Sequence, residues 1–211
     1  MPLYRKWTYE GGYFGIWKVN EEPGALRAML SADFRYDEEL ASMKALSRKV
    51  EYVAVRVLLA ALTGSEKRIL HYPSGKPCLE DGSFRITVSH TRGFVAVGLH
   101  PDLEVGIDIE YMSERVGKIA SRILGPEEEA ETTVDLLLHW CAKETMYKML
   151  GEQEVDFARH FRIIRMQADT AVKKIRGIEF RTSSRMQFDL SYWVDPDFVC
   201  TWSVGLQPSC E

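Results

Sequence analysis

In the run VGIDIE, residues 105–110, the two-residue period of an extended strand sets Val105, Ile107 and Ile109 on one face and Gly106, Asp108 and Glu110 on the other. Two carboxylates then project side by side. Like charges at neighbouring same-face positions repel unless a cation or water stands between them, and the competing account is an exposed strand edge with two solvated acids. A third acid appears in WCAKETMYKML, residues 140–150, which reads as helix. At about 100° per residue Leu137, Trp140 and Cys141 share a face, and Glu144 and Lys148 fall within that apolar lane. A charge there loses hydration worth several kcal/mol unless a partner, a metal or cleft water replaces it. Asp108, Glu110 and Glu144 together form an all-oxygen donor set suited to Mg²⁺, which takes carboxylates and completes its shell with water and substrate phosphate.

Lysines accompany the acids. Lys148 lies four residues after Glu144, where it makes either a helix ion pair or, with Lys143, a contact to phosphate beside the metal. Lys76 sits in the loop SGKP, freed by Gly75 and stiffened by Pro77, a setting for one phosphate contact or simply a surface turn. Ser89 and His90 stand where a strand meets its turn and could both donate to a phosphate. No acidic partner accompanies them to suggest a nucleophilic triad, and His71, His100, His139 and His160 lack metal-ligand spacing.

These residues need elements to carry them. YFGIWKV, residues 13–19, reads as a strand, and one long helix follows through DEELASMKALSRKVEYVAVRVLLAAL to a stop at Gly64. SFRITVSH and FVAVGL form a hairpin about the turn TRG. GPEEE, residues 125–129, has the proline and the acids of a helix start, with the helix of Glu144 beyond it. Short β-patterned runs fill the chain from Phe161. The order is strand, helix, strands, then strand, helix, strands again, with no linker between the halves and no clear sequence repeat.

At 211 residues, 45% hydrophobic, the chain has material for one sizeable domain or two small ones. A net charge of −4 argues against a nucleic-acid binder held by phosphate neutralisation, so an anionic ligand must meet a local basic cluster. The four cysteines show no paired spacing, and no signal peptide or membrane-length apolar run is present, which points to a soluble protein of the cytoplasm.

GKPCL, VSHT, VGIDIE, ILGPEEE and WCAKETMYKMLG, in that order over about residues 75–151, resemble the 4'-phosphopantetheinyl transferase superfamily, in its two-halved monomeric, surfactin-synthetase-activating type. RKVEYVAVRVLLAALTG also resembles the long helix of that family's first half. The resemblance implies an α/β (α+β) fold of two similar halves about a pseudo-twofold. Residues 1–101 would form the first half and residues 102–211 the second, with the active site between them. It makes Asp108, Glu110 and Glu144 the Mg²⁺ ligands, and Glu144 or a bound water the base toward an acceptor serine. Lys76 and Pro77 match the coenzyme A loop. Ser89 and His90 match contacts to the nucleotide phosphates, Lys143 and Lys148 contacts to the diphosphate, and Glu128 the acid of an F-x-x-x-E segment. Here the chain departs: Ile123 and Leu124 replace aromatics, and Thr87 stands where asparagine is frequent.

The reaction so implied moves 4'-phosphopantetheine from coenzyme A to a serine of an apo acyl or peptidyl carrier protein and releases adenosine 3',5'-bisphosphate. Mg²⁺ would act as Lewis acid and template, with Lys148 stabilising charge on the leaving group. The alternatives are a coenzyme A-binding protein without transfer activity and an Mg²⁺-dependent nucleotide phosphohydrolase. Arg162, Arg165, Lys173, Lys174, Arg176, Arg181 and Arg185 form a basic stretch that is either a carrier dock or a solvated face.

Overall fold

The computed structural model describes residues 3–32, 36–151, 154–167 and 173–205. The chain folds as two compact units, Met1–Pro101 and Asp102–Glu211, each a mixture of helix and antiparallel sheet.

In the first unit, β1 (Leu3–Tyr9) and β2 (Gly12–Lys18) form a hairpin. Its two-residue turn places Glu10 at φ 47° and Gly11 at φ 81°, the paired left-handed conformations that match strand twist. Two short helices, α1 (Pro23–Arg27) and α2 (Tyr36–Ser42), precede the 18-residue α3 (Leu46–Thr63). The single long helix expected here is therefore interrupted at residues 43–45. The expected stop at Gly64 is present, with φ 78° and its N–H bonded to the Ala60 carbonyl.

After the small pair β3 (Ile69–His71) and β4 (Pro77–Leu79), the expected hairpin forms from β5 (Arg85–Thr91) and β6 (Phe94–His100). The main sheet has the order β1-β2-β6-β5. The apolar face of α3, with Val53, Leu58 and Leu62 among its buried residues, packs on β2 and β6. Gly15 permits the approach, because a Cβ there would stand 2.8 Å from Leu58 Cδ1.

The second unit also sets one long helix against an antiparallel sheet. β7 (Val105–Tyr111) leads through a 3₁₀ turn (Glu114–Ile119) and α4 (Ala120–Ile123) to the 18-residue α5 (Thr133–Leu150). The short α6 (Phe157–His160) and strands β8 (Phe161–Gln167), β9 (Lys174–Glu179), β10 (Gln187–Val194) and β11 (Phe198–Val204) follow. The sheet order β7-β11-β10-β9-β8 brings the last strand back beside the first.

One expectation about this unit is corrected. GPEEE is a turn, and α5 begins at Thr133. A capping box starts the helix: Thr132 Oγ1 accepts from the Asp135 N–H, and the Asp135 carboxylate accepts from the Thr132 N–H. No described helix is long and apolar enough to cross a membrane. Cys78, Cys141 and Cys200 are free thiols, and Cys210 lies outside the described residues.

Candidate active site

The site residues of the second unit lie where α5 crosses β7, and Gly106 makes the crossing close. A Cβ at Gly106 would stand 2.7 Å from Met149 Cγ, 2.8 Å from Thr145 Cγ2 and 2.9 Å from the Thr145 carbonyl. The face shared by Gly106, Asp108 and Glu110 is thus the one that α5 covers. Asp108 is only 3% exposed, so it is not a solvated acid.

Along α5, residues 140, 144 and 148 form one row at intervals of four. At one end the Trp140 indole N–H donates to Glu110 Oε1 at 2.7 Å. At the other, Lys148 Nζ donates to Asp108 Oδ1 at 2.7 Å and to the Ile107 carbonyl at 3.0 Å. Helix and strand therefore run in opposite directions. Glu144 occupies the position between the two contacts.

A hydroxyl chain fixes the helix to the neighbouring strand. Thr201 pairs with Asp108 across the β7–β11 ladder. Its Oγ1 lies 2.6 Å from Thr145 Oγ1 and donates to the Cys141 carbonyl at 2.9 Å. Both threonines are fully buried, and the chain Thr145 to Thr201 to Cys141 uses each hydroxyl proton once.

Three carboxyls here meet one ammonium, and the electrostatics follow. Burial and the Asp108 charge push Glu144 up to about 7 despite Lys148. Burial and Asp108 do the same to Glu110, also to about 7, with the Trp140 hydrogen bond working the other way. Burial acts to lower the Lys148 pKa, but the charge and hydrogen bond of Asp108 and the charge of Glu144 outweigh it, and the net shift is upward. The excess negative charge and the hard oxygen donors suit Mg²⁺ chemically. Among the described residues, no three His, Cys, Asp or Glu side chains are gathered closely enough to hold an ion.

Lys143 is placed elsewhere than expected. The expected single buried stripe on α5 is exceeded: the helix is buried nearly all round, and Lys143 is 0% exposed. Its ammonium donates to Glu128 Oε2, to the Ile123 carbonyl at 2.7 Å and to the Phe157 carbonyl at 3.3 Å. Glu128 in turn accepts from the Gly125 N–H at 2.7 Å and the Ile163 N–H at 2.6 Å. Burial pushes the Lys143 pKa down against the support of Glu128. The pair ties α5 to the turn before it and to β8.

In the first unit, Lys76 and Pro77 lie at the turn into β4, where the Tyr72 N–H bonds the Lys76 carbonyl and Gly75 adopts φ 88°. Ser89 and His90 are separated by strand alternation: Ser89 is buried and His90 exposed. The two side chains therefore leave opposite faces of β5, so they do not work as a nucleophile and base. Arg48 Nη1 donates to His90 Nε2 at 2.9 Å, which leaves the ring proton on Nδ1, 3.6 Å from Glu51 Oε2. The basic stretch of the second unit is partly neutralised, Arg162 by Glu127 and Arg176 by Asp189. The side chain of Arg165 lies outside the described residues.

In the sequence Trp140 reads only as part of the apolar lane, and Thr145 and Thr201 carry no expected role. The four-residue spacing from Trp140 to Glu144 to Lys148 was the available signal for the first. Nothing local marked the threonine pair, because it joins residues 56 apart.

Known proteins match this region. Residues 104–203 match the model of the 4'-phosphopantetheinyl transferase superfamily, a span that takes in nearly all of β7 through β11 with α5 between them. Over 116 residues the chain is 30% identical to a protein of Synechocystis sp. that carries the name "Putative 4'-phosphopantetheinyl transferase". That alignment covers 47% of this chain and 47% of the relative, so the chain spans about half the length of the curated relative it matches. Residues 104–203, the segment that carries Asp108, Glu110, Glu144 and Lys148, are thus similar to the 4'-phosphopantetheinyl transferase superfamily.

Proposed function

We propose that the protein transfers 4'-phosphopantetheine from coenzyme A to a serine hydroxyl of an apo acyl or peptidyl carrier protein, with Mg²⁺ as cofactor. The observation that carries this reading is the α5–β7 crossing, where Lys148 bonds Asp108 and the charge of Asp108 acts on both Glu110 and Glu144, inside the segment matched to the family. Asp108, Glu110 and Glu144 would hold the metal, and when bound it supplies charge neutralisation across the diphosphate.

The serine oxygen attacks the phosphorus that bears pantetheine, the phosphoanhydride bond breaks, and the electron pair leaves on adenosine 3',5'-bisphosphate. Glu144 takes the serine proton as general base. Lys148 uses two of its three donors on Asp108 and the Ile107 carbonyl, and its third donor serves the leaving phosphate. Lys76, Pro77, Ser89 and His90 are assigned to coenzyme A binding. Lys143 is assigned to the structural pair with Glu128.

The test is intact-protein mass spectrometry of a panel of apo carrier proteins incubated with this protein and coenzyme A, with Mg²⁺ or chelator. The expected result is a mass gain of one phosphopantetheine group that needs Mg²⁺. Binding of coenzyme A with no mass gain on any carrier would favour a binding protein. Release of nucleotide product without a carrier would favour a phosphohydrolase.

A further inference from the structure

We propose that Trp140 is a positioning residue for the metal site: its indole N–H holds Glu110 Oε1 and so fixes which oxygen of that carboxylate faces Glu144. The assignment rests on the proposed Mg²⁺ site.

Trp140 stands at the end of the row in which Lys148 holds Asp108, so two of the three acids are each oriented by a donor from α5. An indole N–H donates and accepts nothing, so it can only engage a carboxylate oxygen, and it leaves the second oxygen for another partner. The ring is not free to turn. Its centroid lies 5.3 Å from that of Phe157, which also packs against Tyr147 at 5.8 Å and Phe161 at 5.6 Å. The donor is therefore held on a packed aromatic cluster. Partners that orient a metal-binding side chain commonly change metal affinity on removal.

The experiment uses the full chain and Mg²⁺ alone, without coenzyme A. Calorimetric titration of wild-type protein and of Trp140→Phe, which keeps an aromatic ring and deletes the donor, should show the Mg²⁺ midpoint raised roughly 10-fold. The same change in a Glu110→Ala background should have no further effect. In ¹⁵N-tryptophan-labelled protein, the indole resonance missing from Trp140→Phe should move on Mg²⁺ addition and also in Glu110→Ala.

An Mg²⁺ midpoint unchanged by Trp140→Phe, or an equal shift with and without Glu110, overturns the assignment. If Trp140→Phe fails to fold, the Glu110→Ala spectrum decides: tryptophan indole resonances that all stay in place overturn it too. Absence of any Mg²⁺ response in wild-type protein overturns instead the reading on which it rests.

Discussion

Replacing Lys143 with methionine separates the two roles open to that residue. Met matches the length and volume of the lysine stem, so the change removes the ammonium with little cavity. It leaves the Ile123 and Phe157 carbonyls without their donor and Glu128 with only the Gly125 and Ile163 N–H groups. Breaking a buried ion pair from one side costs about 3–5 kcal/mol, because the remaining charge stays buried. In a chain of this size 1 kcal/mol moves the melting temperature by about 2–4 °C, so a fall of roughly 10 °C is expected.

Urea and thermal unfolding followed by circular dichroism measure it, with carrier modification assayed well below the transition. The double variant Glu128→Met with Lys143→Met should not recover full stability. It removes the stranded charge but leaves two backbone N–H donors, each costing about 1–3 kcal/mol when buried without an acceptor. If Lys143→Met melts within about 2 °C of wild type while the KM for coenzyme A rises steeply, Lys143 is a phosphate ligand and the structural assignment is wrong.

Glu144→Gln keeps shape and loses the base, and should lower kcat by about 100-fold or more with little change in melting temperature; near-normal transfer would remove Glu144 from that role. Lys148→Met should lower kcat strongly and also shift the Mg²⁺ titration, since it removes the ammonium that bonds Asp108; an unchanged Mg²⁺ titration would contradict the coupling. Gly106→Ala should destabilise by about 1–3 kcal/mol and reduce transfer together, because the new methyl meets the Thr145 carbonyl at 2.9 Å and the helix must move; unaltered melting would mean that the crossing is looser than described. In chelated protein the folded values of Glu110 and Glu144, about 7, exceed the ordinary glutamate value, so the folded state binds more protons across that interval and stability falls as pH rises from about 5 to 7. The chelated melting temperature should therefore drop between pH 6 and 8, less so in Glu144→Gln, and Mg²⁺ should raise it more at pH 8; an equal Mg²⁺ effect at both values would refute this.

Local pattern carried some elements and failed for others on physical grounds. The alternation in VGIDIE placed Asp108 and Glu110 on one face correctly, because the period of a strand does not depend on what covers it. The β5–β6 hairpin and the stop at Gly64 were legible for the same reason: turn chemistry is local. GPEEE was misleading because proline and acids suit a turn as well as a helix start, and Glu128 is held by three donors from three segments. The β1 strand was passed over although Glu10-Gly11 is a hairpin turn with both residues at positive φ. The burial of Lys143 was not available from the sequence, since a lane drawn on one helix cannot say how many of its faces the rest of the unit covers.

The opening anomaly of charges in an apolar lane has a physical resolution in how α5 is used. A helix buried on nearly every side cannot place a charge outward, so each of its charged side chains must find a built partner. Lys143 finds Glu128 and two carbonyls, all from the core, and its requirements are met. Lys148 finds Asp108, but its side chain remains 23% exposed. Glu144 carries a carboxyl that burial and a neighbouring charge drive up to about 7. Two lysines five residues apart on one helix thus differ in kind: the first completes a closed pair, and the second belongs to a cluster in which negative charge exceeds positive. Under the proposed function the second of these clusters is the one to take up a cation and a phosphate ligand, and that difference, more than the shared motif, separates the lysine of the closed pair from the lysine of the proposed site.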